Sequence, residues 1–443
     1  MNTPMAMGGS GRLETVTNPR DGENRPAILL VGASVRWAAQ SLRRGLPNSR
    51  IIGLDWFGDF DTRMVCDQFH RFQMVKEPQG NLSGQIDSVA KMYDARVIRV
   101  GGLQVAGVGN PWEEWSRLQS IVHELTAESD CGEFPVTFPI TYQCSAGRCC
   151  LAGATGDGIP MAEFETEKRG RSDRWLWKQT NSTGGMGIRR VSPANDSVSE
   201  PDDGWLQQRV HGRSYGLVAI AGANRTRMLG MTLGMHRRSG DRPFIHSGSR
   251  GPVFAFGDSG SGDVPWRSLQ ALCERVAQQF SLRGLFNLDF IRDAMGRWWL
   301  LELNARPSAS CEVIERWATE VGKLDPGHSL MRMHLDAIDG HDQMDLMDCQ
   351  SNHDPLPLAK NSAQWIKRIV FANRDVSVDV EQIQRQLRAE SIAVDLADLP
   401  SSSPTLVAAE EPILTLLIGF DDREKKMAAT QLRRAIRIVQ GAR

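Results

Sequence analysis

Short apolar strands alternate with helical segments from Ala27 onward, and this alternation constrains the fold more than any other feature of the sequence. The run AILLV at 27–31 precedes Gly-Ala-Ser, and residues 34–46 then carry apolar side chains near helical spacing. Residues 50–63 supply a second strand and an acidic loop, and ARVIRVGGL at 95–103 supplies a third strand, broken by a glycine pair. Strands that end in glycine, with helices between them, predict a parallel sheet of half-Rossmann type.

Length and charge exclude several classes of protein. The chain has 443 residues, which at about 150 residues per domain corresponds to roughly two to four domains. Lys and Arg total 52 against 53 Asp and Glu, and this balance indicates neither general nucleic-acid binding nor a polybasic membrane anchor. No apolar run approaches the roughly 18–20 residues that span a bilayer. Residues 1–26 are polar and lack the apolar core of a signal peptide, so we expect a disordered leader before a cytoplasmic chain.

Changes in composition and in the pattern of predicted strands and helices divide the remaining sequence into three folded parts. We expect the half-Rossmann domain over 27–111, a larger α+β core over 112–337, and a small α+β or barrel-like domain over 363–443. Residues 338–362 are acidic and contain proline, which is typical of a linker. Helices are predicted at 112–128, 265–281 and 422–440. The predicted fold class therefore combines α/β with α+β.

A lysine lies in the middle of the otherwise apolar strand WLWKQT, and a glycine-rich loop follows it. The lysine is Lys178, and the loop is STGGMG at 182–187. Consecutive glycines let backbone N–H groups approach an anion, and the Ser and Thr hydroxyls add donors. A partly buried ammonium needs a counter-charge, which a nucleotide phosphate would supply. A glycine-rich hairpin with a snorkelling lysine explains the same residues without a ligand.

Two carboxylates lie on two apolar strands that a tight turn joins, in LFNLDFIRDAMGRWWLLELNAR at 285–306. Asp289 and Glu302 can therefore lie side by side on one sheet face, and Asn304 projects to the same side as Glu302. Two carboxylates and an amide oxygen, completed by phosphate oxygens, suit Mg²⁺, whereas without a cation the carboxylates would repel each other. Arg306 would project beside the metal and hold a phosphate or carboxylate oxygen. A buried salt-bridge network is the alternative.

Taken together, these segments resemble the ATP-grasp superfamily, in particular its branch of predicted ATP-dependent carboligases related to biotin carboxylase. The residues that carry the resemblance are Lys178, STGGMG at 182–187, LQQRVHG at 206–212 and NLDF…LELNAR at 287–306. The N-terminal segments and RIVFANRDVSV are similar to that branch too, so the likeness extends over residues 27–440. The resemblance implies a pre-ATP-grasp half-Rossmann domain before a two-lobed ATP-grasp core, with the nucleotide between the lobes.

The resemblance also implies roles for individual positions. Lys178 would contact the α- and β-phosphates under a flap formed by 182–187, and 206–209 would be a hinge whose backbone reads the adenine edge. Gln208 stands where the family often has a ribose-binding glutamate, and Ile291 would pack against adenine or serve the core. The implied nucleotide-binding set is Lys178, Ser182, Thr183, Gly184, Gly185, Gly187, Gln207, Gln208, Arg209, Val210 and Ile291. Asp289, Glu302 and Asn304 would hold one or two Mg²⁺, with Mn²⁺ as an alternative, and Arg306 and Lys178 would act in catalysis.

Three further sequence features point less directly to a function. The segment 235–253 could form the acid-binding edge of a substrate pocket through His236 or Arg250, or it could be a solvated loop. Trp37, Asp55 and Trp56 near the ends of the N-terminal strands could line a second-substrate cleft, or pack between domains. The closely spaced cysteines lack metal-ligand spacing, which favours reduced, packed thiols; they are Cys144, Cys149 and Cys150.

The family mechanism implied by the resemblance is that of an ATP- and Mg²⁺-dependent ligase. A substrate carboxylate attacks the γ-phosphate of ATP, and an amine or other nucleophile then displaces phosphate from the acyl phosphate. We therefore expect small-molecule carboxylate and amine substrates, no nucleic-acid or membrane partner, and leave a homodimer open. Relatives of this branch are associated with biosynthesis of one-carbon cofactors of pterin or furan type. The alternative is a non-catalytic nucleotide-binding or regulatory module on the same fold.

Overall fold

The computed structural model describes residues 15–17, 25–73, 82–102, 111–128, 135–145, 148–151, 159–160, 175–180, 182–190, 204–255, 265–341 and 363–441. The strands within these ranges form four sheets. No helix in the same ranges combines the length and apolar character needed to cross a membrane. Most of the predicted linker, residues 342–362, lies outside the described residues.

The N-terminal domain is a five-stranded sheet in the order β1-β4-β3-β2-β5. Its elements are β1 (Thr15–Thr17), β2 (Ala27–Val31), α1 (Arg36–Gly45), β3 (Arg50–Asp55), α2 (Phe60–Val65), β4 (Gln68–Arg71), α3 (Leu82–Tyr93) and β5 (Arg96–Arg99). Strands β2 to β5 are parallel, as the alternation predicts, and β1 pairs antiparallel with β4 at the edge. Of the leader expected to be disordered, the structure describes β1 and residues 25–26.

Helix α1 begins at Arg36, two residues after the start of the segment with helical spacing. The N-cap residue is Val35, and its backbone N–H donates to a carboxylate oxygen of Asp55 at 3.2 Å. The Ser34 hydroxyl instead donates to Asp398, far along the chain, at 3.2 Å. The start of the helix is thus fixed by a carboxylate from β3, a long-range contact that local sequence does not reveal.

A six-stranded antiparallel sheet forms a small lobe in the order β11-β10-β12-β7-β8-β9. It follows α4 (Pro111–Ala127) and β6 (Val136–Thr137). Its strands are β7 (Thr141–Ser145), β8 (Arg148–Leu151), β9 (Ile159–Pro160), β10 (Trp175–Gln179), β11 (Ile188–Arg190) and β12 (Gly204–Gln208). The pairing β10 with both β11 and β12 places Lys178 in the interior of this sheet rather than at its edge.

The largest sheet has nine strands in the order β20-β22-β18-β15-β14-β13-β16-β17-β6, so the C-terminal strands continue the sheet of the core. Its central elements are β13 (Gly212–Ala221), β14 (Thr226–Ser239), β15 (Arg242–Ala255), α5 (Trp266–Gln279), β16 (Gly284–Asp293), β17 (Trp298–Asn304), α6 (Ser310–Glu320) and α7 (Leu330–Ile338). The C-terminal elements are β18 (Gln364–Phe371), β19 (Val376–Val378), α8 (Val380–Ala389), β20 (Asp395–Ala397), β21 (Thr405–Val407), β22 (Pro412–Phe420) and α9 (Lys425–Val439). The pairing β15 with β18 joins the two parts. The segment 235–253 therefore belongs to a long hairpin and is not a solvated loop.

Side chains from the two faces of the nine-stranded sheet enter two different cores. One face packs on α4 and α5 through residues such as Leu118, Val276 and Trp298. The other packs on α6 and α7 through residues such as Ile220 and Trp317. Because Asp289 alternates with Leu288 and Phe290, which enter the first core, its side chain lies on the α6 face of the sheet.

Helix α7 contributes to the N-terminal core as well as to the large sheet. Met331 and Leu335 pack against α1 and β2, whereas Leu330 and Met333 enter the core beneath α6. One helix therefore holds the half-Rossmann domain against the core, and the relative position of the two parts depends on it.

We expect Gly284→Ala to destabilise the protein more than Gly322→Ala does. Both glycines have positive φ, +84° and +69°, so each alanine incurs a left-handed strain of about 1 kcal/mol. A Cβ on Gly284 would lie 2.2 Å from Nδ1 of the buried His334, which accepts a hydrogen bond from the Leu285 N–H, whereas no described atom lies within 4 Å of a Cβ on Gly322. The clash adds about 1–3 kcal/mol. Urea unfolding of both variants checks this, and equal losses would contradict it.

Candidate active site

Two carboxylates face each other on adjacent strands where β16 and β17 pair. Asp289 is directly opposite Glu302, and Asn287 is directly opposite Asn304. A register shift follows the Asp289 pair, but the cross-strand pairs on its other side stay regular. The antiparallel hairpin therefore places the side chains of Asp289, Glu302 and Asn304 together, as the alternation in the sequence predicts.

Amide side chains hold this carboxylate pair in place. Asn304 Nδ2 donates to Asp289 Oδ2 and to Glu302 Oε1, at 3.1 Å each. Asn287 Nδ2 donates to Asp289 Oδ1 at 2.6 Å, and Ser308 Oγ donates to the Asn287 side-chain oxygen at 3.2 Å. Neither Asn287 nor Ser308 is part of the site that the sequence predicts, and both act by orienting Asp289.

The pKa values of the two carboxyl groups shift in opposite directions. Burial and the neighbouring Glu302 carboxylate raise the pKa of Asp289 well above its ordinary value. Burial acts to raise the pKa of Glu302 too, but the Lys178 ammonium and the hydrogen bonds from Asp289 and Asn304 outweigh it and lower that pKa. Opposite shifts of this kind are typical of two carboxyl groups that lie close together, because each charge disfavours the other.

Lys178 reaches this pair from the small lobe. Burial lowers the pKa of Lys178, and the charges of Glu302 and Asp289 act in the opposite direction. The lysine side chain is half-buried on β10, and its ammonium interacts with both carboxylates of the large sheet. The structure thus brings Lys178, Asp289, Glu302 and Asn304 together from two lobes.

Arg306 and Glu114 complete the charged surroundings. The Nε of Arg306 is buried without a hydrogen-bond partner among the described residues, so this guanidinium is available to an anion. Glu114, on α4, was not predicted: burial and the Glu302 carboxylate raise its pKa to about 7, while Arg306 lowers it. Glu114 occupies the first turn of a helix distant in sequence, and no local signal distinguishes it from the preceding Glu113.

The donor set fits a hard divalent cation. In the described residues, no group of three or more His, Cys, Asp or Glu side chains is placed to hold a metal ion. Here the chain offers two carboxylates and one amide, and rotation of the Asn304 amide would turn its oxygen toward them. Mg²⁺ accepts such oxygen ligands and commonly takes phosphate oxygens for the rest of its shell. The pair therefore suits a metal that arrives with a nucleotide.

The glycine-rich loop is docked against β15. The backbone N–H of His246 donates to the Gly184 carbonyl at 2.9 Å, and a Cβ on Gly185 would lie 1.9 Å from the Phe244 carbonyl oxygen. Gly184 and Gly185 both have positive φ, +61° and +78°. The loop positions Ser182, Thr183, Gly184, Gly185 and Gly187 thus form a turn that lies across the crevice from one lobe to the other.

The predicted hinge lies at the end of β12. Gln208 N donates to the Ile140 carbonyl at 2.7 Å, and its side-chain oxygen accepts from the Ile140 N–H at 3.3 Å. Gln207 is buried, and its amide donates to the Thr141 hydroxyl at 3.2 Å. Arg209 and Val210 continue the chain into β13, where Ile291 is half-buried on the neighbouring strand. The roles of these residues toward a nucleotide stay predictions.

The structure does not bring His236 and Arg250 together. His236 lies beside Phe244 and His246, with ring centroids 6.2 and 6.3 Å apart, and therefore near the docked loop. Arg250 pairs instead with Leu233 across the hairpin. Burial and the neighbouring Arg213 lower the pKa of Arg250, and Asp422 acts in the opposite direction. Of the two, His236 is the one beside the crevice.

Comparison with known proteins identifies the core. Residues 155–310 match the family model described as an ATP-grasp domain, so this part of the chain is an ATP-grasp domain, as its motifs predict. No curated protein matches the chain by sequence.

Solved structures resemble nearly the whole chain. N5-carboxyaminoimidazole synthetase from Staphylococcus aureus, complexed with ADP, has a TM-score of 0.57 at 11% identity, covering 94% of this chain and 100% of that one. The Aspergillus clavatus N5-carboxyaminoimidazole synthase, in complex with ADP and 5-aminoimidazole ribonucleotide, gives 0.54 at 13% identity, covering 94% and 100%. The biotin carboxylase domain of Hydrogenobacter thermophilus 2-oxoglutarate carboxylase, with MgADP and bicarbonate, gives 0.56 at 12% identity, covering 92% and 89%. At identities this low, the likenesses establish the fold alone, and they extend it from the matched domain to nearly the whole chain.

We expect Lys178→Met to weaken ATP binding about 10- to 100-fold, because a charge-assisted contact to phosphate contributes about 1.5–3 kcal/mol. Arg189→Met is the matched control, since Arg189 is an exposed cation in the same lobe whose Nε lies 3.6 Å from Asp241. Isothermal titration calorimetry with MgATP measures both. Wild-type affinity in Lys178→Met would remove Lys178 from the nucleotide site.

Substitution of two neighbouring glycines tests whether the docked loop matters. Gly185→Ala should raise the KM for ATP several-fold, because its Cβ would force the loop away from Phe244. Gly184→Ala incurs the same kind of left-handed strain, but no described atom lies within 4 Å of its Cβ. Steady-state kinetics of both variants separate docking from backbone strain, and equal KM values would show that docking is unimportant.

Proposed function

We propose that this protein is an ATP-dependent ligase that activates a substrate carboxylate as an acyl phosphate, which an amine then attacks. One observation carries the proposal: the ammonium of Lys178 in the small lobe faces the paired Asp289 and Glu302 carboxylates of the large sheet. A triphosphate and its cation would satisfy the charges on both sides of this crevice. The ATP-grasp domain match and the ADP-bound structural relatives support the same reading.

Activation of a carboxylate by ATP requires that the negative charges of the two reactants be neutralised. A carboxylate must approach a polyanionic phosphate, and the transferring oxygens carry spread charge in the transition state. Mg²⁺, when held by Asp289, Glu302 and Asn304, would neutralise part of this charge. Lys178 would bind the α- and β-phosphates, and Arg306, whose buried Nε lacks a partner among the described residues, would hold the attacking carboxylate or the transferred phosphate.

The docked glycine loop would protect the activated intermediate. An acyl phosphate hydrolyses if water reaches it before the amine does, so the loop at 182–187 would close the crevice during the reaction. Its contacts with β15 are backbone contacts, and only a loop without side chains at Gly185 can approach the Phe244 carbonyl so closely. The loop would therefore act by exclusion of water and by donation of N–H groups to phosphate oxygens.

Three further proposals come from the sequence resemblance. The role in one-carbon cofactor biosynthesis, of pterin or furan type, follows from the sequence resemblance alone, as do the cytoplasmic location and a homodimeric state. The structural relatives include enzymes whose names state action on an aminoimidazole ribonucleotide and on 2-oxoglutarate. A carboxylate and a nitrogen nucleophile are the substrate classes that we propose for this chain.

We expect Glu302→Gln to lower Mg²⁺-dependent ADP formation at least about 100-fold, because it removes a charge that binds the cation opposite the transferring phosphoryl group. ADP release is measured over paired panels of carboxylates and amines, and mass spectrometry identifies the product. Asp325→Asn, at an exposed aspartate between α6 and α7, is the control. Retained turnover in a folded Glu302→Gln protein would reject the metal assignment.

The same assay separates the ligase from a regulatory nucleotide-binding module. A regulatory module binds MgATP with no ADP release in any pairing of acid and amine. A ligase releases ADP only when both a suitable acid and a suitable amine are present, or when the acid alone permits slow hydrolysis of its acyl phosphate.

A further inference from the structure

A small cavity lies where β14 and β18 of the large sheet meet the end of α9. Its volume is about 90 Å³, which is several times the space that one water molecule needs. Asn373 is exposed, so solvent reaches the cavity at that side. We call it the arginine cavity, after two guanidinium groups in its wall; its lining includes Arg237, Arg368, Phe371, Asn373, Ile436 and Gln440.

The arginine cavity lies on the opposite face of the sheet from the carboxylate pair. Side chains alternate along β18, and Lys367 points to α6, where its ammonium lies 2.7 Å from a carboxylate oxygen of Glu312. Ile366 and Val370 point the other way and pack against residues of α9. Arg368 lies between them on that same face. Because the carboxylate pair lies on the α6 face, the cavity is separate from the crevice between the lobes.

One of the two guanidinium groups, that of Arg237, has an acidic partner. Its Nη2 lies 2.6 Å from Glu410 Oε2, and the guanidinium lies over the Phe371 ring, 4.5 Å from the ring centroid. The Arg237 side chain is only 20% exposed. Its charge is therefore matched by one carboxylate, and its position in the wall is fixed by two contacts.

The other guanidinium group, that of Arg368, forms no ion pair with a carboxylate in the described part of the chain. Its Nη1 donates to the Ser247 hydroxyl, a neutral acceptor, at 2.7 Å. Burial and the neighbouring Arg237 guanidinium lower the pKa of Arg368. A half-buried cation beside a like charge is costly unless an anion balances it. Among the described residues, the cavity thus carries an excess of one positive charge.

The charge and the shape of this wall suit a carboxylate. A carboxylate supplies one negative charge, which equals the excess, and two oxygens that match the paired N–H groups of a guanidinium. A phosphate dianion would leave one negative charge unmatched. The side-chain amide of Asn373 adds an N–H donor, and Phe371 and Ile436 offer apolar surface to the rest of a small acid.

We propose that the arginine cavity binds the carboxylate of a small organic acid, with the guanidinium of Arg368 as the main donor. Arg237 adds to the positive potential, although its own charge is matched by Glu410. The inference does not depend on the proposed ligase reaction, because Lys178, Arg306 and the carboxylate pair do not line this cavity.

The test uses propionate as the probe and propionamide as its neutral counterpart of similar shape. Ligand-observed NMR of the full chain at low ionic strength gives both dissociation constants for the wild type, Arg368→Gln and Arg238→Gln. Arg238 is the matched control, because it is an exposed arginine of β14 that does not line the cavity. We expect the wild type and Arg238→Gln to bind propionate at least about ten-fold more tightly than propionamide, and Arg368→Gln to lose that preference.

The crevice is proposed to hold a carboxylate too, so a third variant separates the two sites. Arg306→Gln should keep the preference for propionate, because Arg306 does not line the arginine cavity. Loss of the preference in Arg306→Gln, with retention in Arg368→Gln, would assign the probe to the crevice and overturn the inference.

Two results on the wild-type protein would overturn the inference without any variant. One is equal binding of propionate and propionamide. The other is displacement of propionate by inorganic phosphate at concentrations below the dissociation constant of propionate, which would show that the site prefers phosphate.

Melting curves give an independent readout and show whether each variant is folded. A ligand that binds only the folded protein raises its melting temperature. Propionate should therefore raise the melting temperature of the wild type and of Arg238→Gln but not that of Arg368→Gln, and an equal rise in all three would contradict a site at Arg368. If Arg368→Gln does not fold, Arg368→Lys takes its place, with binding weakened several-fold because lysine lacks the paired N–H groups; wild-type affinity in Arg368→Lys would then count against the inference.

Discussion

The buried guanidinium of Arg36 connects the three folded parts of the chain. It belongs to α1 in the N-terminal domain, its Nη2 contacts Glu312 of α6 in the core, and its Nε contacts Asp398 of the C-terminal segment. Arg36 and Glu312 are each only 1% exposed. Charges so deeply buried are tolerated when paired, and loss of one partner typically costs about 3–5 kcal/mol. The interaction therefore holds the three parts against one another, and the contact between Asp61 and residues 398–399 lies beside it.

The strand pairing brings two acidic side chains, Asp289 and Glu302, closer together than their charges alone would favour. An antiparallel hairpin places Asp289 directly opposite Glu302, where two ionised groups would repel each other. The chain lessens the repulsion with the Asn304 amide, which donates to both groups, and with an ammonium from the other lobe. Each of these is replaceable by a divalent cation and its phosphate ligands. The geometry of the hairpin is thus fixed before any ligand arrives, which lowers the cost of ordering the site during catalysis.

Sequence alone could predict the parts of this site that depend on local periodicity. Alternation along β16 and β17 is enough to place Asp289, Glu302 and Asn304 on one face, and the half-Rossmann order follows from strand and helix alternation. The long β14–β15 hairpin was not predicted, because glycines, arginines and serines at 234–251 interrupt the apolar pattern. The place of Glu114 beside Glu302 and the contact of Asp61 with Asp398 depend on long-range contacts: Asp61 and Asp398 are 337 positions apart, and no spacing rule joins them.

The chain contains nearly equal numbers of acidic and basic residues, but acidic side chains lie close together at two places, around Asp289 and around Asp59. This distribution affects how cationic ligands bind. In each place burial and neighbouring carboxylates raise the pKa of one aspartate, Asp289 in one and Asp59 in the other. A cation that binds the folded protein but not the unfolded chain stabilises the fold by mass action. A cation bound at either place would therefore stabilise the folded protein. Residues 307–312 and Arg36 connect the two places. The distance between them is therefore determined by the packed core and not by a mobile loop.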